Sequence, residues 1–133
     1  MKASLVWTMA WMFLMSPAEA PAEAPALPVE PIPLQGIASW YSRYDRGVQS
    51  KTANGEKFND LYATCASWHY PFGTYLKVTN VRSGKSVVVR VNDRGPKRKL
   101  NRVVDLTKGS FQMIAHPKYG VAKVSVQPVK KPA

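Results

Sequence analysis

Apolar and polar positions alternate with a period of two through much of the centre of this chain, the pattern of half-buried β-strands. In "GIASWY" (36–41), Ile37, Ser39 and Tyr41 share one face and Ala38 and Trp40 the other. "YATCAS" (62–67) reads as a short buried strand. "TYLKVTNV" (74–81) puts Leu76, Val78 and Asn80 on one face, and "RSGK" (82–85) is a hairpin turn into "SVVVRVN" (86–92), the clearest strand of the chain. "GVAKVSVQPV" (120–129) is a closing strand. Only "DLTKGSFQMIA" (105–115) reads as helix, with Thr107 as its cap and Leu106, Phe111 and Ile114 as its apolar face. Two turn-rich stretches, 43–60 and "RGPKRKLNR" after Asp93, read as loops. Five or six short strands and one helix in about 90 residues predict a small barrel, which closes strands without leaving edges.

The two ends follow a different pattern. Lys2, an apolar run from Leu5 to Met15 and then small residues resemble a secretory signal peptide, here 1–18. The run is about 11 residues, short of the roughly 20 that span a bilayer. Residues 19–35, "EAPAEAPALPVEPIPLQ", read as a semi-extended linker. The expected folded domain is 36–127, followed by a flexible tail, 128–133. This organisation predicts secretion across the inner membrane to the periplasm or cell envelope. The lone cysteine, Cys65, sits among small residues rather than after the apolar run, so no lipid anchor and no internal disulfide are expected. Its surroundings favour a small buried residue over a nucleophile.

Charge narrows the partners. Nineteen Lys and Arg face eight Asp and Glu, a net charge of +11. In an exported chain that balance points to polyanions of the envelope rather than to nucleic acid. A monomer is expected, and no cofactor or metal, since no paired Cys/His spacing is present.

Among the few acidic residues, Asp93 follows the strongest strand and precedes Gly95-Pro96. It reads either as a structural acceptor of backbone N–H groups or as a group facing a ligand. Glu56 in "TANGE" lies in a Gly-containing loop, where spacing alone favours an exposed turn residue. Asp105 reads as a capping or ion-pair residue. Trp40, Tyr41, Trp68 and Tyr70 are candidates for stacking on sugar faces, and alternation allows at most one of each pair to line a groove.

"GIASWYS", "TANGEKF", "PFGTYLKVTNVRSGKSVVVRVNDRGP" and "VVDLTKGSFQMIA" together resemble the RlpA-like (rare lipoprotein A) family, related to expansins, from Gly36 to about Val126. The resemblance implies a mainly β, six-stranded double-psi β-barrel with one or two short helices. It implies a lytic transglycosylase acting on peptidoglycan glycan strands, with 1,6-anhydro-muramyl products; the alternative is a non-catalytic wall-binding module of the expansin kind. It also implies that Glu56 matches the family's catalytic glutamate and Asp93 its barrel-floor aspartate. Ser67 stands where the family has a functional histidine, with His69 two residues on, and Asn59 where an acidic residue is common. Tyr41, Trp40, Asn54, Ser67, His69, Asn92 and Arg94 are the expected substrate contacts. For Glu56 to act as an acid, its pKa must be raised by burial or by a neighbouring carboxylate such as Asp93.

Overall fold

The computed structural model describes residues 32–95 and 101–133. The apolar N-terminal run, nearly all of the Pro/Ala linker and most of the basic run after Gly95 lie outside the described residues. Six strands occur in the order β1 (Leu34–Tyr41), β2 (Thr64–Ala66), β3 (Tyr75–Asn80), β4 (Ser86–Asp93), β5 (Arg102–Thr107) and β6 (Val121–Val129). They close into one barrel with the neighbour order β1-β5-β2-β4-β3-β6. Two of the pairings, β1 with β5 and β2 with β4, are parallel. The other four are antiparallel. This is the expected mainly β, six-stranded barrel.

The core is built from the inward positions of every strand. Ala38, Cys65, Leu76, Val78, Val89, Val91, Val104, Leu106, Val124 and Val126 are all buried. Removing these branched side chains from water drives closure, at about 25 cal/mol per Å² of apolar surface. Cys65 belongs to this cluster with no exposure, as its neighbours in the sequence predict. Burial pushes its thiol well above the usual range.

The reading of 105–115 as one helix, and of Arg102 as loop, needs correction. Residues 102–107 form a strand, and the helix α1 is confined to Lys108–Gln112. Thr107 is indeed the cap, its hydroxyl accepting from the Ser110 amide, but Leu106 belongs to the barrel. Helix α1 packs against β1 and β5; its Phe111, and Ile114 just beyond its end, are both buried. A short 3₁₀ turn, Pro117–Tyr119, leads into β6. The strands also overrun the expected domain limits, since β1 starts at Leu34 and Pro128 pairs with Leu76 inside the barrel.

Candidate functional site

Three strand ends, a residue within β5 and one loop build a groove of about 410 Å³. Its walls include Tyr41 from β1, Thr52 and Ala53 from the long loop, Ala66 from β2, Asp93 and Arg94 at the end of β4, and Asp105 from β5. The register explains why these residues meet. Ala66 stands opposite Asp105 in β5 and opposite Asp93 in β4. Regular pairing after Cys65 and Val91 would set residue 92 opposite Ala66; an irregularity between Cys65 and Ala66 brings Asp93 there instead. Such bulges re-aim side chains at sites. The two aspartates therefore flank one alanine, their backbones two strand spacings or about 10 Å apart. The small Ala66 side chain leaves the space between them open. Gly95 borders the same space: a Cβ there would sit 3.5 Å from the Ala66 Cβ and 3.7 Å from Asp105 Oδ2, both ordinary contact distances.

Asp93 is held on both oxygens. Oδ1 accepts from the Ala53 and Arg94 amides, each at 2.9 Å, and Oδ2 accepts from the Tyr41 hydroxyl at 3.2 Å. Asp93 thus fixes the turn after β4 and also lines the groove. Tyr41 is pinned from its other side by Phe58, ring centroids 4.7 Å apart. Burial first, and then the Asp93 charge, push the Tyr41 hydroxyl far above its usual pKa, so it remains a donor.

Asp105 is the groove residue that the sequence did not reveal as one. It does form the expected ion pair, Arg102 Nη2 to Oδ1 at 3.0 Å, and Arg102 is itself held by Ser39 Oγ. Oδ2 is the oxygen toward Gly95 and the groove. Burial raises the Asp105 pKa; Arg102 opposes this, and the Asp93 charge adds to it. A signal was present in the sequence, because Asp105 interrupts the apolar run of Val103, Val104 and Leu106. Its significance depended on recognising that stretch as a strand.

Glu56 lies elsewhere. It does not line the groove but sits on Arg90 of β4, which grips it with both guanidinium nitrogens, Nη1 to Oε1 at 2.6 Å and Nη2 to Oε2 at 2.7 Å. Asn54 Nδ2 adds a bond to Oε1 at 2.7 Å and Asn92 Nδ2 a long one to Oε2 at 3.5 Å. Arg90 is the main reason that the Glu56 pKa falls to about 2. The raised pKa that Glu56 would need to act as an acid is therefore not met: four donor contacts stabilise its charged form.

The remaining expected contacts divide. Arg94 lines the groove, but its guanidinium is spent on the Ser67 and Tyr70 carbonyls, at 2.7 and 2.8 Å, and lies over the Phe72 ring. Asn54 and Asn92 serve Glu56, and Asn92 is buried with its Oδ1 unpaired. Trp40 turns to the barrel interior, and its Nε1 donates to the Pro117 carbonyl at 3.0 Å. Ser67 has no exposed surface: its hydroxyl donates to the Val103 carbonyl and accepts from the His69 amide. Both bonds tie it into the fold. His69 is exposed beyond it and does not line the groove.

Comparison with known proteins places this barrel. Residues 34–126 match the family described as "Lytic transglycolase". Over 93 residues, 70% of this chain, the sequence is 47% identical to the probable endolytic peptidoglycan transglycosylase RlpA of Nostoc sp., covering 25% of that protein. It is 41% identical to the endolytic peptidoglycan transglycosylase RlpA of Rickettsia felis over 69% of this chain and 40% of the relative. The chain thus spans well under half the length of these relatives. A solved structure of a mutant Clavibacter michiganensis expansin in complex with cellohexaose superposes with a TM-score of 0.61 at 20% identity, covering 77% of this chain and 52% of the expansin. The Streptomyces papain inhibitor superposes at 0.59, also 20% identical, over 76% of this chain and 99% of its own. At such identities the two structures share the fold alone. The closed six-stranded barrel, the matched family and the sequence relatives agree that this chain belongs to the RlpA-like family of double-psi β-barrel proteins.

Proposed function

We propose that the chain is a lytic transglycosylase of the cell envelope that cleaves peptidoglycan glycan strands at the Asp93–Asp105 groove. The single observation that carries this reading is the pair of aspartates flanking Ala66 in an open groove, in a chain of this family. Glycosidic cleavage needs a proton for the leaving oxygen and a negative group near the developing oxocarbenium charge. Asp105, with its raised pKa, is the residue suited to hold that proton. Asp93, fixed by two amides and Tyr41, is suited to face the positive charge. In a transglycosylase the muramyl 6-hydroxyl attacks the anomeric carbon, its proton returns to the carboxylate that gave one up, and a 1,6-anhydro ring closes without water. Glu56, held ionised by Arg90 outside the groove, is not the proton donor in this scheme.

A second reading is favoured by one observation. If Glu56 is the residue on which the family's chemistry depends, its clamp by Arg90 leaves it unable to give a proton, and the chain is a wall-binding module. One digest separates the two. Intact and peptide-stripped peptidoglycan are incubated with the full chain, with Asp105→Asn and with Glu56→Gln, and the products are read by mass spectrometry. Anhydro-muramyl ends from the wild type and none from Asp105→Asn are the expected result. Reducing muramyl ends refute the transglycosylase reading in favour of hydrolysis. Retained binding without any product establishes the module.

A further inference from the structure

The barrel carries a second concavity, of about 860 Å³, that shares no lining residue with the groove. The two lie toward opposite ends of β4, since Asp93 ends that strand and the β3–β4 hairpin, which supplies Arg82 and Lys85, begins it. Lys123 of β6 completes a cationic rim, and all three cations are exposed. Ile37, Ala115 and Ala122, each half-buried, supply apolar lining, and Tyr119 stands at the side with 66% of its surface exposed.

The frame is fixed by one buried residue. Asn80 Oδ1 accepts from the Arg82 and Ser83 amides, at 2.9 and 3.3 Å, which shapes the hairpin. Its Nδ2 donates to the Ile114 carbonyl at 2.9 Å, which ties the hairpin to the segment after α1. The Val81 amide donates to the Lys123 carbonyl at 3.0 Å, which sets Lys123 beside the hairpin. The cations therefore stand on a braced backbone rather than on a free loop.

Charge around this site is one-sided. Among the described residues, the acidic side chains are Asp45, Glu56, Asp60, Asp93 and Asp105. Each lies in the long loop after β1 or lines the groove, and none lines the second concavity. Their ion pairs take up only Arg90 and Arg102. A ligand that suits this site brings negative charge for the rim and small apolar groups for the lining. A neutral glycan leaves the cations without a counterpart, and a bare inorganic anion leaves the apolar lining uncovered. Single-stranded nucleic acid needs successive aromatic platforms, and Tyr119 is the one aromatic residue of the lining.

We infer that this concavity is a second binding site, for a short acidic peptide with small aliphatic side chains and a free terminal carboxylate. Arg82 offers a forked donor to that carboxylate, while Lys85 and Lys123 act as point charges for a further acidic group. The volume falls within the range of sites that enclose small ligands. The inference requires no turnover and stands or falls apart from glycan cleavage.

The test is an amide NMR titration of the full chain with the peptide acetyl-Ala-Glu-Ala-Ala, with its uncharged counterpart acetyl-Ala-Gln-Ala-Ala-amide and with inorganic phosphate. Saturable shifts confined to residues 80–85 and 114–123 are expected with the free-acid peptide. Binding should weaken at least tenfold with the uncharged peptide and with the Arg82→Ser, Lys85→Ser double variant, whose exposed positions leave the spectrum folded. Shifts centred on Tyr41, Ala66 and Asp93 overturn the inference, because they make the groove the peptide site. It is equally overturned by an absence of saturable shifts, or by phosphate matching the peptide in affinity, which makes the rim a generic anion patch.

Discussion

Arg90 and Glu56, 34 positions apart in the chain, meet in a two-pronged ion pair that joins the long loop to β4. Both partners are about one-third exposed, at 28% and 39% of their side chains. The pair is thus too wet to add much stability but well shaped to fix a charge state.

The first prediction concerns that charge state. In Arg90→Gln, Glu56 should titrate close to its ordinary value of 4.5 instead of about 2. Carboxyl-carbon NMR across an acid titration reads this directly. A value that stays near 2 would assign the depression to Asn54 and Asn92.

The same pair sets a pH window for stability. The folded pKa of Glu56 is depressed, so its contribution is complete above the ordinary value near 4.5 and is lost as pH falls through about 2. After solvent screening the loss should amount to about 1 kcal/mol. Chemical denaturation at pH 6 and pH 2 should show Glu56→Gln losing less stability over that interval than the wild type, by that amount. Equal losses would show that the ion pair does not stabilise the fold.

Tyr41→Phe should separate site from fold. The ring contact with Phe58 survives, while Asp93 Oδ2 loses its donor. A hydrogen bond to a charged group is worth roughly 1.5–3 kcal/mol. The missing bond should lower Tm by several degrees; if the groove is the reacting site, kcat/KM on glycan strands should also fall at least tenfold at a temperature where the variant stays folded. A large fall in Tm with unchanged turnover would make the bond purely structural.

Gly109→Ala should destabilise the protein even though alanine is the better helix former by about 1 kcal/mol. A Cβ at this position would meet the Asp60 carbonyl oxygen at 2.7 Å and the Leu61 Cα at 3.2 Å. Both obstacles are backbone, and the Gly109 amide already bonds that carbonyl at 2.8 Å. Overpacking of this kind costs about 1–3 kcal/mol, so a lowered Tm is expected in thermal unfolding. A raised Tm would show that helix propensity outweighs the clash.

How far the sequence could be read depended on how local each feature is. The β3–β4 hairpin was legible because its alternation and its turn lie within one short window, "VTNVRSGKSVVV". Strand β5 was not, because Val103 and Val104 are both buried, as are Leu106 and Thr107. Two neighbouring buried positions erase the period of two, and Thr107 advertises a helix start. The site was half legible for the same reason. Asp93 and Tyr41 stand out at strand ends, but the bulge that sets Asp93 opposite Ala66 has no local signature. Nor does a sequence announce that Glu56 will find Arg90 across 34 positions.

The order of strands around the barrel also bears on how fast the chain reaches this structure. Of the six neighbouring pairs in β1-β5-β2-β4-β3-β6, only β3 and β4 are consecutive in the chain. Every other pairing must wait for distant segments to meet, which puts refolding in the millisecond-to-second regime of non-local β topologies. The β3–β4 hairpin is the one element able to form within microseconds and serve as a starting point. Substitutions in its "RSGK" turn should therefore slow refolding, whereas changes at the β1–β5 seam should act mainly on the rate of unfolding.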